Sequence, residues 1–266
     1  MIRNCRKLID YLCEEIRRHA DVAVIGLSGG ADSSLAAVLC MKALNNANVY
    51  GVSMPYDEAD IKTFNSLSAD LAKRIGINHL MRPITEIADS INDQILTNRE
   101  SKLTNVNKGN SKSRARMCVL YGIAHDLSTR LPGKRVRVVG TGNLSEDFIG
   151  YDTKGGDALA DFSPIGELFK SEVYQLLEYF KNEGTITEAD INMTPSAGLE
   201  KNQTDEGDLG YSYDEMEKSV RFCLENYDSM SEQKLDEITA FVWQRHKTHK
   251  HKHEAPPLIK LRSFCE

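Results

Sequence analysis

The chain has 266 residues, 41% of them hydrophobic and 27% charged, with a formal net charge of −6 and a pI near 5.7. That length supports one large α/β domain over residues 1–266 with a substantial core, and the acidic balance excludes a broad nucleic-acid face, which needs basic side chains to neutralise phosphates. Six cysteines without a Cys-x-x-Cys pair fit a reduced, cytoplasmic protein, and the uncharged apolar runs are far too short to span a membrane.

Ile2, Cys5, Ile9, Leu12 and Ile16 recur at helical spacing and predict an amphipathic first helix. Residues 22–27, a branched apolar run, read as a buried parallel strand. Gly29 and Gly30 then allow an abrupt turn, and residues 33–44 have helical character, so the first free N–H groups of that helix point back into the turn. Such a turn attracts phosphate. Ser28, Ser33 and Ser34 add hydroxyl donors, whereas Asp32 would repel a bare phosphate unless a cation sat between them, which points to Mg²⁺. No Gly-Lys-Ser/Thr follows, so the turn is not a P-loop.

A second strand is predicted over 49–54, ended by Pro55, then a helix carrying Phe64, Leu67, Leu71 and Ile75, then a third strand over 79–82. Strand and helix alternate as right-handed βαβ units do, which predicts an open, doubly wound parallel sheet with helices on both faces. Residues 97–113 are polar and aperiodic and read as a mobile connection. Met117, Leu120, Tyr121 and Ala124 restore helical spacing, and a fourth strand is expected over 136–140. Residues 141–164 show little regular signal but follow a strand end, where ligands bind in open parallel sheets. A helix over 168–179, a break over 195–210, a capping box at Ser212-Tyr-Asp-Glu215 and a last helix around Leu235, Ile238, Phe241 and Val242 complete the pattern. Segments 97–113 and 200–209 lack apolar anchors, and both are expected to be mobile until ligand orders them.

Several groups of residues bear on chemistry. Arg114 and Arg116 lie at an expected helix start, two residues apart, so they diverge: one is free to grip ligand while the other supports the fold or a partner. Thr141, directly after the fourth strand, can offer its hydroxyl to a nucleotide. Glu146 supplies a hard carboxylate that, with Asp32, could complete a Mg²⁺ site. Lys154 and Lys170 could neutralise charge on transferring phosphate oxygens, although each standing alone is usually a solvated side chain. The tail histidines at 249, 251 and 253 alternate like metal ligands, but Lys250 and Lys252 between them oppose a cation. A basic, phosphate-contacting segment or a simple solvated tail is the better reading.

Ser28-Gly-Gly-Ala-Asp-Ser33 resembles the pyrophosphate-gripping loop of the ATP pyrophosphatases. In order, Ser113-Arg-Ala-Arg-Met117, Gly140-Thr-Gly-Asn-Leu-Ser-Glu146, Thr153-Lys-Gly-Gly-Asp157, Asp161-Phe-Ser-Pro-Ile-Gly166, Leu168-Phe-Lys-Ser-Glu172, Pro195-Ser-Ala-Gly-Leu199, Gln203-Thr-Asp-Glu206, Leu209-Gly-Tyr-Ser-Tyr-Asp-Glu215 and His251-Lys252 resemble ammonia-dependent NAD synthetases. The similarity runs from about Gly26 to Pro257. It implies ATP contacts at Gly26, Leu27, Ser28, Gly29, Gly30, Ala31, Asp32, Ser33, Thr141, Lys170 and Ser196, with Asp32 and Lys170 catalytic. It implies Mg²⁺ at Asp32 and Glu146, and deamido-NAD contacts at Arg114, Lys154, Asp161, His251 and Lys252. The reaction so implied is ATP-dependent amidation of deamido-NAD by ammonia in a homodimer. Position 196 is Ser where Thr is common, and three His-Lys pairs, at 246–247, 249–250 and 251–252, compete for the family's tail motif; spacing to Pro256 favours the last. Rival readings are another ATP pyrophosphatase, tRNA-modifying or GMP-forming, and a non-catalytic nucleotide sensor.

Overall fold

A computed structural model describes residues 1–96, 102–191 and 205–259. Helix α1 (Cys5–His19) opens the chain and leads to strand β1 (Val22–Gly26), helix α2 (Ala31–Leu44) and strand β2 (Val49–Ser53). Helix α3 (Glu58–Ile75), strand β3 (Asn78–Met81), helices α4 (Thr85–Gln94) and α5 (Asn105–Arg130), and strand β4 (Val136–Val139) follow. Helices α6 (Leu144–Ile149), α7 (Lys170–Asn182), α8 (Glu188–Ile191), α9 (Asp205–Leu209), α10 (Tyr213–Glu225) and α11 (Glu237–His249) complete the elements used below.

The four strands are parallel in the order β3-β2-β1-β4, with Ala23 opposite Val49, Val22 opposite Val136 and Tyr50 opposite Asn78. Strand β1 is central, and its side chains alternate between two cores as a two-residue period requires. Ala23 and Ile25 join Ile9, Leu35, Leu39 and Val173 from α1, α2 and α7. Val22 and Val24 face Ile84, Ala115 and Met117 from the α4–α5 side. Helices therefore cover both sheet faces, as the apolar run at 22–27 predicts. A third cluster holds Phe148, Phe169, Met216, Val220 and Val242 and welds α6, the start of α7, α10 and α11 together beside the sheet.

The chain steps outward from β1 to β2 to β3, then returns to place β4 on the other side of β1. The switch point lies between β1 and β4, and ligands of open α/β sheets bind outside the strand C-termini there. The glycine-rich turn after β1 and the 140–150 stretch after β4 both converge on it. No helix among the described residues is long and apolar enough to cross a membrane.

Four expectations need correction. Residues 105–113 are not a mobile connection: they form the first turns of α5, started by Thr104, whose side chain accepts a bond from the Asn107 N–H at 3.2 Å. Arg114 and Arg116 therefore lie well inside a helix rather than at its start. The buried face of those turns is built from small or polar residues, Gly109, Ser111, Lys112 and Ala115, which leave no apolar stripe in the sequence. Residues 144–149 are helical too, capped by Asn143 at one end and by left-handed Gly150 at the other. Asp205–Leu209 is a short helix with Asp205 and Leu209 buried, so that part of the expected 200–209 lid is packed. Residues 97–101 and 200–204 lie outside the described residues. Helix α4 carried no expectation.

Candidate active site

The turn after β1 is held open by its own side chains. Ser28 Oγ and Ser33 Oγ lie 3.0 Å apart, the Gly30 N–H donates to Ser28 Oγ at 3.1 Å, and Ser33 Oγ donates to the Gly30 carbonyl at 3.0 Å. Leu27 extends the ladder by donating its N–H to the Val52 carbonyl, and Gly26 ends β1. Gly29 has φ of 84°, and a Cβ there would lie 2.9 Å from Leu67 Cβ, so no larger residue fits without displacement. Gly30, at the N-cap of α2, offers no capping side chain, so the first turn beginning at Ala31 keeps N–H groups for an anion.

Asp32, in that first turn, points to residues from the far half of the chain. Lys170 Nζ lies 2.5 Å from Asp32 Oδ2 and 3.0 Å from Glu146 Oε1. Asn143 Nδ2 donates to Asp32 Oδ1 at 3.0 Å. The Tyr213 hydroxyl lies 3.0 Å from Glu146 Oε1 and 2.8 Å from Asp205 Oδ2; having one proton, it donates to one carboxylate at a time. The structure thus joins Asp32, Glu146 and Lys170, three residues singled out from sequence, and adds Asn143, Tyr213 and Asp205, which were not. Asn143 lay within a recognised motif. Tyr213 and Asp205 likewise lay within quoted motifs, Leu209-Gly-Tyr-Ser-Tyr-Asp-Glu215 and Gln203-Thr-Asp-Glu206, but carried no individual assignment.

Electrostatics single out the same cluster. Burial and the neighbouring Asp32 charge push the Glu146 carboxyl up to about 7, opposed by Lys170. Burial alone would favour a neutral Lys170, but Glu146 and Asp32 overcome it and hold the ammonium charged well above its ordinary range. Burial, with Glu146 and Asp205 nearby, keeps the Tyr213 phenol protonated. The Lys170 side chain is only 4% exposed. Two carboxylates on one ammonium, with Glu146 Oε2 carrying no hydrogen-bond partner among the described residues, form a hard-oxygen, net-negative donor set that suits Mg²⁺.

A second group surrounds the loop after α6. Arg114 Nε donates to the Lys154 carbonyl at 3.3 Å, and Lys154 Nζ donates to the His251 carbonyl at 2.8 Å. Lys252 Nζ donates to the carbonyls of Gly150 at 2.8 Å and Asp152 at 2.6 Å. Loop and tail are therefore tied reciprocally, each by a lysine of the other. Arg116 Nε donates to the Met54 carbonyl at 3.1 Å, so each arginine of the pair holds a backbone carbonyl. Asp161 sits at the edge of β4, its Oδ2 accepting the Val138 N–H at 2.7 Å and its Oδ1 the Tyr121 hydroxyl at 3.3 Å. Thr141 is half-buried just beyond β4, and Ser196 lies outside the described residues. His253 bonds Asp152, Asp147 completes a group of possible metal ligands, and Lys252 Nζ stands 3.3 Å from Asp152 Oδ1.

A sequence model of the NAD synthase family matches residues 4–256. The chain is 38% identical over 231 residues to an NH₃-dependent NAD⁺ synthetase of Methanococcus aeolicus, covering 84% of this chain and 85% of that protein. Among solved structures, an NH₃-dependent NAD synthetase of Campylobacter jejuni superposes with a TM-score of 0.70 at 27% identity, over 97% of this chain and all of that one. An NMN synthetase of Francisella tularensis gives 0.73 at 27%, over 96% of each chain. With the glycine turn, the Asp32–Glu146–Lys170 cluster and these full-length similarities in agreement, the chain belongs to the NAD synthase family.

Proposed function

We propose that this chain forms NAD by ATP-dependent amidation of deamido-NAD with ammonia, releasing AMP and pyrophosphate. The observation that carries the reading is the buried Lys170 ammonium, held between Asp32 and Glu146 at the sheet's switch point beneath a helix N-terminus built for anions. A carboxylate is a poor electrophile, so one nicotinate oxygen attacks the α-phosphorus of ATP and the α–β bridging bond breaks, releasing pyrophosphate. Ammonia then adds to the adenylated carbonyl carbon, the C–O bond to AMP breaks, and the surplus proton leaves with solvent.

The protein's share is alignment and charge stabilisation. The N–H groups at the start of α2, with Ser28 and Ser33, bind the departing pyrophosphate. Lys170 offsets charge developing on the phosphate oxygens, and Thr141 and Ser196 contact ATP. Arg114, Lys154, Asp161, His251 and Lys252 orient the dinucleotide. Asp32 and Glu146 would hold Mg²⁺, whose chemistry when bound is to neutralise pyrophosphate oxygens. We further read the protein as a cytoplasmic homodimer using free ammonia.

The similarity to an NMN synthetase favours a second substrate, the deamidated mononucleotide, which presents the same nicotinate carboxylate. The cationic loop and tail, spread over Arg114, Lys154 and Lys252, suit the longer dinucleotide with its pyrophosphate bridge. The test is incubation with ATP, Mg²⁺ and either nicotinate nucleotide, with and without ammonium. Ammonium-dependent NAD is expected. Product from the mononucleotide alone transfers the reading to NMN synthesis, and ATP consumption without any amide product refutes both.

A further inference from the structure

Helix α7 presents Lys170 as its first residue, yet its N-cap is Phe169, whose side chain cannot accept a hydrogen bond. A helix N-terminus needs acceptors for its free N–H groups, and here they come from other parts of the fold. The Lys170 N–H donates to Ser145 Oγ at 3.0 Å, and the Ser171 N–H donates to Glu217 Oε1 at 3.0 Å. Glu217, on α10 and 5% exposed, also accepts from Ser145 Oγ at 2.9 Å and from Ser171 Oγ at 2.5 Å. One buried carboxylate thus grips the residue immediately before Glu146 and the residue immediately after Lys170.

We propose that Glu217 is a positioning residue for catalysis, locking α6 to α7 so that Glu146 and Lys170 keep their spacing. The role presupposes the amidation reading above. Glu217 lies one helical turn beyond Tyr213, so α10 contributes a hydroxyl to the cluster directly and sets the relative placement of its charged members through Ser145 and Ser171. The negative charge lies at the positive end of α7, where the helix dipole favours it. The three donors explain why an acidic residue is tolerated here, amid the packed side chains of α10. Nothing in the lock touches substrate; it acts only by fixing where Lys170 and Glu146 stand, and a shift of about 1 Å at such a site can cost on the order of a hundredfold in rate.

The test compares Glu217→Leu, which keeps volume and removes all three acceptor bonds, with Glu217→Gln, which keeps reach and one carbonyl oxygen. Rates are taken per folded molecule at saturating ATP, Mg²⁺ and ammonium. Glu217→Leu is expected to lower kcat at least tenfold with the KM for deamido-NAD within twofold of the parent, and Glu217→Gln to stay within threefold in kcat. A merely structural role would lower the yield or the Tm and leave kcat per folded molecule unchanged, which overturns the proposal. Should Glu217→Leu not fold, Ser145→Ala opens the lock from the α6 side with little change in volume, and a parental kcat there overturns it equally. Absence of ammonium-dependent product from the parent chain refutes the amidation reading itself, whereas an active parent with an indifferent Glu217→Leu refutes only the positioning role.

Discussion

Replacing Lys170 with Met leaves two half-buried carboxylates facing each other without their buried ammonium. At 2.5 Å and 3.0 Å, and with an effective dielectric near 20, each carboxylate attracts the ammonium by about 6 kcal/mol, most of which offsets the desolvation of the three groups. Removing one partner of such a buried set costs about 3–5 kcal/mol, because the remaining charges stay buried. The loss depends on pH with a definite sign. Burial and Asp32 already raise the folded Glu146 carboxyl to about 7, above its unfolded value, so Glu146 opposes folding increasingly as pH climbs through that interval. Without Lys170 the opposition deepens, and it is relieved in acid, where the carboxyl is neutral. Urea denaturation of ligand-free Lys170→Met and parent at pH 8 and pH 5.5, in chelator, is expected to give a deficit of about 3–5 kcal/mol at pH 8 that shrinks by at least half at pH 5.5. Adding Asp32→Asn to Lys170→Met should recover much of the deficit by removing one of the opposed charges. A variant within about 1 kcal/mol of the parent at pH 8, the level of an exposed pair, would refute the account of a coupled buried cluster.

Lys252→Ala should raise the KM for deamido-NAD about tenfold to a hundredfold, the loss of one charge-assisted contact, and leave the KM for ATP nearly unchanged, while Lys247→Ala does much less; the opposite ranking would mean that the His-Lys register is wrong. Gly29→Ala forces a left-handed residue against Leu67 at 2.9 Å and is expected to raise the KM for ATP at least tenfold; a parental value would show that the turn is not shaped for the nucleotide. Asp21 is held at about 2 by its hydrogen bonds from Arg135, so the pairing stabilises the fold above the usual Asp range and is lost as pH falls toward 2. Asp21→Asn should accordingly lose stability modestly at pH 7 and match the parent near pH 2; a constant gap in denaturant midpoint would contradict this.

Where burial is carried by large apolar side chains, the sequence is readable. Residues 22–27 announce a central strand because all but Gly26 are buried, and the glycines after it announce the turn. Asp32, Glu146 and Lys170 were identifiable because they sit in local motifs, even though the contacts that unite them are tertiary. The opening turns of α5 were hidden because Gly109, Ser111 and Ala115 pack by being small. Helix α6 is too short for periodicity, although Asn143 before it and Gly150 after it are start and stop signals. Tyr213, Asp205 and Glu217 owe their contacts to where α9 and α10 dock, which no spacing within those helices reveals. The polar composition of 200–209 suggested a lid, but Asp205 is buried because its partner, the Tyr213 hydroxyl, arrives from the next helix.

The cluster also has a history written into chain order. Asp32 lies 138 residues before Lys170, and Glu146 lies 67 before Tyr213. During synthesis the four strands emerge before any of α7 or α10, so the nascent chain carries Asp32 and Glu146 before the ammonium they share. Chemical competence is therefore the last property the polypeptide acquires. Loosening the satellite core of α6, α10 and α11 would silence the enzyme while the sheet still stands, and inactivation should precede loss of strand signal whenever the protein is gently stressed.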